Sequence, residues 1–268
     1  MHTLHVAARK PFDVFTRAVK ATAMTSRISH TSFDAINAYA QSVFWSQVLD
    51  FAEDPDDPNE PGHEECLITS RDRSQLLLFI TVPDHKKVKN RVHLDLRPVD
   101  RTREQEAERI LALGASHLAD HRRPDGSGWI TLADPEGNEF CVLEQDNTFV
   151  DYGGLLGSIT CDGSGPEIGY FWSEALGWPL VWDQDGETAI RAPDGTGQFI
   201  TFGPPLPPKT RKNRLHFDIA PPKDGDQEAE VERLISLGAT RRDIGQGVVS
   251  WVVMADPDDN EFCVLTPQ

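Results

Sequence analysis

The chain has 268 residues, of which 38% are hydrophobic and 8% aromatic, and its formal net charge is −17. This charge argues against a nucleic-acid partner, because a polyanion would be repelled over most of the surface. No apolar run reaches the ~18 residues of a membrane span, so no membrane partner is expected. The 4 cysteines form no C-x-x-C pair, which favours a reducing, cytoplasmic location.

Residues 1–23 form a basic segment that lacks the apolar core of a secretion signal. We expect this segment to be a poorly ordered extension, with Met24 opening the first domain.

The first predicted strand follows Ser26, and its residues Ile28, His30, Ser32 and Asp34 share one face. Apolar residues at helical spacing then predict an amphipathic helix over residues 38–49. After an acidic, proline-containing loop, two further strands are predicted at 66–68 and 76–82. The first unit is therefore read as β-α-β-β, with room for a further short strand after the helix.

The second unit begins with a strand at 92–97, where His93 and Asp95 lie on the face opposite three apolar residues. Thr102 and Gln105 have the spacing of a capping box and predict a helix start, while Gly114 predicts its end. The unit closes with a hairpin over residues 129–143.

The sequence of this hairpin occurs twice: residues 129–143 are repeated, with few changes, as residues 251–265. In each copy Asp-Pro fixes the entry of the turn, and we expect Gly137 or Asn260 to take the positive φ at its exit. A repeat of this kind predicts two related domains, at 24–146 and 155–268.

The second half follows the same plan. A strand is predicted at 156–162, a helix at 168–177, a strand at 199–202 and a helix at 226–238. Residues 212–218 match residues 89–95 at every polar position. The chain is thus predicted to contain four units in two domains.

These features together resemble the vicinal oxygen chelate superfamily, and within it the glyoxalase-like group. The resemblance is carried by Phe44-Trp45 and Phe171-Trp172, by Lys-Asn-Arg-x-His twice, and by Asn-Glu-Phe-Cys-Val-Leu twice. It implies an α+β fold of two tandem domains, each made of two β-α-β-β-β units whose curled mixed sheets form a cleft. The expectation is one cleft per domain.

The resemblance also implies where a metal would lie. Metal-dependent members hold a divalent cation with a His or Gln on the first strand, a His on the fifth, and a Glu on each of the fourth and eighth. In domain 1 the matching residues are His30, His93 and Cys141, while the strand at 76–82 has no acid. A His₂Cys set would suit a single divalent metal, Zn, Fe, Ni or Mn, in this domain.

Domain 2 offers fewer ligands. Ser158 aligns with His30, His216 with His93, and Cys263 with Cys141. We therefore expect a metal-free second cleft, which argues against a ring-cleaving dioxygenase and against a methylglyoxal lyase. The simpler alternatives are that the cysteines fill apolar space and that the histidines bind neighbouring carboxylates.

Two basic connectors precede the central strands, at 86–91 and 209–214. They could steer an anionic ligand to a cleft rim. The favoured interpretation is that they bridge the two units of each domain and pair with acidic residues.

We predict a protein that binds a small organic molecule in the cleft of domain 1, and by extension in that of domain 2, as a monomer or homodimer. The alternative is a metal-dependent lyase, isomerase or oxygenase that uses His30 and His93. The acidic surface favours a cationic ligand in the first case. The predicted cleft residues are His30, Ser32, His93, Asp95, Cys141, Ser158, His216, Asp218 and Cys263.

Overall fold

The computed structural model describes residues 25–147, 149–150, 153–163 and 165–268. The prediction for residues 1–23 and the start at Met24 lie outside the described residues.

The first half contains two consecutive units. Unit 1 comprises β1 (Arg27–Ala35), α1 (Ala38–Leu49), β2 (Glu65–Thr69) and β3 (Leu76–Thr81). Unit 2 comprises β4 (Val92–Leu96), α2 (Arg103–Ala112), β5 (Ser116–Asp120), β6 (Trp129–Ala133) and β7 (Glu139–Leu143). Unit 1 has an isolated bridge between Ala52 and Thr69, in the region after the helix where a short extra strand is expected.

The second half repeats the order. Unit 3 comprises β8 (Leu156–Gly163), α3 (Glu167–Leu176), β9 (Leu180–Gln184), β10 (Glu187–Ile190) and β11 (Phe199–Pro205). Unit 4 comprises β12 (Leu215–Ala220), α4 (Gln227–Ser236), β13 (Thr240–Arg241), β14 (Val252–Ala255) and β15 (Glu261–Val264). The α+β class and the tandem units are confirmed, whereas β5, β9, β10 and β13 are not predicted from the sequence.

The strands form two mixed sheets. Sheet I has the order β13-β14-β15-β12-β1-β3-β2, and sheet II has the order β5-β6-β7-β4-β8-β11-β10-β9. The central pairs are antiparallel, β1 with β12 and β4 with β8. Sheet I therefore joins units 1 and 4, and sheet II joins units 2 and 3. The cleft expected within each half is replaced by two clefts that the halves share.

The two units of one half are instead held together by packing. Trp45 of α1 lies edge-on to Phe140 of β7, with 5.0 Å between ring centroids, and Trp172 of α3 lies edge-on to Phe262 of β15 at 5.1 Å. Both tryptophans are almost fully buried, at 1% and 2% exposure. Helix packing thus closes each half, while strand pairing joins the halves into one hydrophobic core.

Local signals in the sequence are largely confirmed. Thr102 caps α2 and forms the full capping box with Gln105. In the repeated hairpin Gly137 has φ 84°, as expected, but in the second copy it is Asp259, with φ 65°, that takes the positive φ rather than Asn260. Asp259 is the residue equivalent to Gly137, and Asp tolerates the left-handed region better than most residues.

No helix in the described part of the chain is long and apolar enough to cross a membrane. The longest described helix, α1, has 12 residues.

Candidate functional site

Each sheet has one face against the helices and one face free of them. Leu94 and Ile159 are fully buried against the helical core. Side chains alternate along a strand, so His93 and Asp95 of β4 point to the opposite face. The strand register extends this face across neighbouring strands: Asp95 pairs with Ser158 on one side and with Cys141 on the other.

In sheet II the polar row of this face is bound together by hydrogen bonds. His93 Nε2 lies 3.3 Å from Asp95 Oδ1. The second carboxylate oxygen of Asp95 accepts hydrogen bonds from the hydroxyls of Ser158 at 3.2 Å and Thr160 at 2.5 Å. Thr160 also lies 2.6 Å from the hydroxyl of Thr201 on β11. The row therefore crosses three strands, two of which belong to unit 3.

Charges in this row are strongly coupled. Burial disfavours the charged His93 ring, but the Asp95 carboxylate outweighs that effect and raises the pKa of His93 well above its usual value. Burial likewise opposes ionisation of Asp95, yet His93 and the two hydroxyls lower its pKa. The pKa of the Cys141 thiol is raised by burial and by Asp95, so the thiol is not activated as a nucleophile.

Sheet I carries a second polar row, and here two histidines flank one carboxylate. His30 Nε2 lies 3.0 Å from Asp218 Oδ2, and His216 Nε2 lies 3.6 Å from Asp218 Oδ1. The Ser32 hydroxyl donates to the same Asp218 oxygen that His30 contacts. Cys263 is the neighbour of Asp218 in register on β15.

Asp218 is the charged centre of this row. Burial opposes its ionisation, but His216, His30 and Ser32 together lower its pKa to about 2. Burial lowers the pKa of His216 and raises that of the Cys263 thiol. His216 Nδ1 is buried and has no hydrogen-bond partner within the described residues, which leaves one unsatisfied polar atom in this row.

The walls of the two clefts differ. In sheet II, Phe199 and Trp182 lie in register with the polar row, and both rings pack on Phe149 of the inter-domain link, with centroids 6.3 and 4.9 Å away. In sheet I the outer strands of this face carry aliphatic residues: Leu78 pairs with Ser32 and Leu67 pairs with Leu78, and both are only partly buried.

The structure divides the expected metal set. His30 lies in sheet I, whereas His93 and Cys141 lie in sheet II, because each sheet combines units from different halves. Within the described residues, two compact groups could hold a metal: His93, Asp95 and Cys141, and His216, Asp218 and Cys263. In each group one ligand atom per residue lies within 4.8 Å of the others. His30 contacts the second group through Asp218.

Imidazole, carboxylate and thiolate are ligands that suit zinc, with a fourth position open to a substrate. Both donor sets fit a divalent metal in this chemical sense. Sheet I is the better match, because it adds His30, which contacts Asp218. His30 and His216, which the sequence assigned to different domains, meet in this cleft.

The basic connectors mostly form ion pairs, and four of these pairs join the halves. Arg91 lies 2.6 Å from Asp258, and Arg214 lies 3.1 Å from Glu136, so each arginine reaches the hairpin turn of the other half. Lys89 lies 2.8 Å from Asp162 in sheet II, and Lys212 lies 2.7 Å from Asp34 in sheet I. The expected pairing with acidic residues is observed, but these bridges run between the halves and not between the two units of one half.

Thr160, Asp162 and Thr201 were not identified from the sequence as cleft residues. Thr160 and Asp162 follow Ser158 at two-residue steps on β8, so strand alternation alone would have placed them on its face. Thr201 could not be found in this way, because its place depends on the pairing of β11 with β8.

Curated relatives cover about half of this chain. Glyoxalase 1 of Caenorhabditis briggsae is 26% identical over 154 residues, which is 54% of this chain and 52% of that protein. Glyoxalase 1 of Caenorhabditis elegans is 25% identical over 159 residues, with the same coverage of 54% and 52%. The chain thus spans about half the length of these relatives.

Solved structures show the same fold over most of the chain. Glyoxalase I from Zea mays aligns with a TM-score of 0.65 at 13% identity, covering 90% of this chain and 92% of that one. A putative dioxygenase from Bacillus subtilis aligns with a TM-score of 0.59 at 14% identity, covering 90% and 85%. At such identities the likeness is one of fold.

A protein-family model described as a glyoxalase-like domain matches both halves of the chain, at residues 30–143 and again at 158–265. Both matches run from the first central strand to the end of the repeated hairpin, and together they span most of the chain. The protein therefore belongs to the glyoxalase-like domain family and carries two copies of that domain.

Proposed function

We propose that this protein binds a small organic molecule in the cleft of sheet II, with a cationic group of the ligand facing the polar row. The observation that carries the proposal is the half-buried indole of Trp182 on the same face as the carboxylates of Asp95 and Asp162. Aromatic rings and carboxylates together form a favourable environment for an organic cation.

The charges of the cleft support a cationic ligand. Asp95 is balanced by His93, and Asp162 by Lys89. Glu187 stands at the mouth on the same face of β10, and its pKa is raised by partial burial and by the nearby carboxylates of Asp185, Asp95 and Asp162. A positive group on the ligand would relieve this repulsion.

The test is a thermal-shift screen of small organic cations beside neutral analogues of the same shape. We expect cations to stabilise the protein, and the dissociation constant of a hit to rise at least tenfold in Trp182→Ala. The matched control is Leu78→Ala, which truncates the wall of the sheet I cleft and should leave the dissociation constant unchanged. Equal binding of the neutral analogues, or loss in Leu78→Ala alone, would contradict the proposal.

A second function is favoured by one specific observation, the meeting of His30 and His216 at the single carboxylate of Asp218. It is a metal-dependent lyase, isomerase or oxygenase reaction in the sheet I cleft, with His216, Asp218 and Cys263 as ligands and His30 beside them. A bound divalent metal would act there as a Lewis acid towards a substrate oxygen.

Metal analysis distinguishes the two functions. Protein purified without chelator or affinity tag should contain stoichiometric metal if the second holds, and the metal should be lost in His30→Ala/His216→Ala but kept in His93→Ala. Loss in His93→Ala alone would place the metal in sheet II instead. Absence of metal after growth in several metal-supplemented media would exclude this second function.

A further inference from the structure

The two basic connectors face each other across a small cavity between the halves. Its volume is about 150 Å³. It is lined by six basic side chains and two acidic ones: Lys86, Lys87, Lys89, Arg211, Lys212, Arg214, Asp34 and Asp84. On a protein of net charge −17, such a local excess of positive charge is unusual.

Most of these cations are held by ion pairs. Lys86 pairs with Glu139, and the partners of Lys89, Lys212 and Arg214 are the carboxylates of Asp162, Asp34 and Glu136. Lys87 and Arg211 are exposed, and neither forms an ion pair within the described residues. One cation from each connector therefore faces the cavity without an ion-pair partner among the described residues.

We infer that this cavity is a binding site for a small divalent oxyanion such as phosphate. The volume corresponds to about five water molecules, which is enough for one tetrahedral anion. Lysine ammonium and arginine guanidinium groups are the side chains that best bind phosphate oxygens. Because Lys87 comes from one half and Arg211 from the other, the anion would lie between the halves.

The position also connects the cavity to both clefts. Lys89 lines the cavity and holds Asp162, whose carboxylate lies 3.9 Å from the His93 ring in sheet II. Lys212 lines it and holds Asp34 in sheet I. A bound anion that attracts these two lysines would weaken the ion pair of Lys89 with Asp162 in sheet II and that of Lys212 with Asp34 in sheet I.

The probe is inorganic phosphate, titrated into the full chain by isothermal calorimetry at constant ionic strength set with sodium chloride. Constant ionic strength matters because exposed charges are screened by salt. We expect saturable binding of one phosphate per chain, and at least a tenfold weaker affinity in Lys87→Gln/Arg211→Gln.

The matched control is Arg71→Gln/Lys223→Gln, which removes the same charge from exposed positions outside the cavity. This control should bind phosphate as the unchanged protein does. Equal weakening in both double variants, or heats reproduced by chloride alone, would show a general ionic effect and overturn the inference. All variants carry only exposed substitutions, and unchanged circular dichroism verifies that they fold.

Discussion

The aspartate of the repeated Asp-Pro dipeptide has the same structural role in both halves. Asp256 Oδ1 accepts the backbone N–H groups of Asp258 and Asn260, each at 2.9 Å, and its Oδ2 accepts the Trp172 Nε1–H at 3.1 Å. Asp134 does the same in the first half and binds Trp45. Each carboxylate thus fixes its hairpin turn and ties a helix of one unit to a sheet strand of the next.

The pH dependence of stability follows from this burial. Desolvation is the largest influence on Asp256 and raises its pKa to about 6, despite the hydrogen bonds that favour the carboxylate. The folded protein therefore binds a proton between about pH 4 and pH 6 that the unfolded chain has lost. The contribution of Asp256 to the free energy of unfolding should fall by up to about 3 kcal/mol as the pH rises through this window.

The comparison that isolates this contribution uses Asp256→Asn. The difference in unfolding free energy, unchanged protein minus variant, should be larger at pH 4 than at pH 7, measured by urea denaturation at both values. Other titrating groups are common to both proteins and cancel. A difference that stays constant with pH would contradict the raised pKa.

At the scale of single elements, the hairpin turn offers a direct test of backbone strain. Gly137 has φ 84°, and a methyl group added there would meet open space, with Lys86 Cδ 4.0 Å away as the nearest atom. The cost of Gly137→Ala should therefore come from the backbone alone, about 1–2 kcal/mol in unfolding free energy. The matched change is Asp259→Gly at the equivalent position, which removes a positive φ from a non-glycine residue and should change stability by under about 0.5 kcal/mol. Equal losses in the two variants would rule out this explanation.

The capping box at the start of helix α2 can be tested by two substitutions of Thr102. The Thr102 side chain accepts the Gln105 backbone N–H, and the Gln105 side chain accepts the Thr102 backbone N–H. Thr102→Ala should lower the unfolding free energy by about 1 kcal/mol, while Thr102→Ser should retain most of it. Chemical denaturation measures both. A Ser variant as unstable as the Ala variant would mean that the methyl group, not the hydroxyl, is what matters.

For the whole molecule, the sequence predicted the units but not their partners. The alternation around His30 and His93, the capping box and the repeated hairpin are local patterns, and they placed most helices and strands correctly. Local patterns do not determine which two units combine to form a sheet. The four central strands β1, β4, β8 and β12 are alike in pattern, so an edge of one can pair with several others.

This ambiguity explains why the predicted cleft residues are grouped differently in space. His30 was combined with His93 because they belong to the same half, whereas strand pairing brings His30 to Asp218 and its neighbour Ser32 into register with His216. The Arg91–Asp258 and Arg214–Glu136 ion pairs favour this exchanged arrangement. No sequence pattern marks these four residues as partners. The two ion pairs are recognised only when the halves are seen together in the structure.

The pairing of central strands between the two halves has a consequence for an isolated half. In a fragment of residues 25–147, β1 and β4 lose their antiparallel partners β12 and β8, and each exposes an unpaired sheet edge. A second copy offers the equivalent strands, because β4 corresponds to β12 and β1 to β8. Two copies of the fragment can therefore rebuild two sheets by a two-fold arrangement.

We expect this fragment to be a dimer by size-exclusion chromatography with light scattering. Addition of a fragment of residues 153–268 should convert it to a one-to-one heterodimer, because that combination restores the native β1–β12 and β4–β8 pairs together with the Arg91–Asp258 and Arg214–Glu136 ion pairs. Near-ultraviolet circular dichroism of the heterodimer should then match that of the intact chain, because strand pairing rebuilds the shared hydrophobic core. A folded fragment that remains monomeric at micromolar concentration would show that one half closes its own sheet, and that strand exchange is not required for folding.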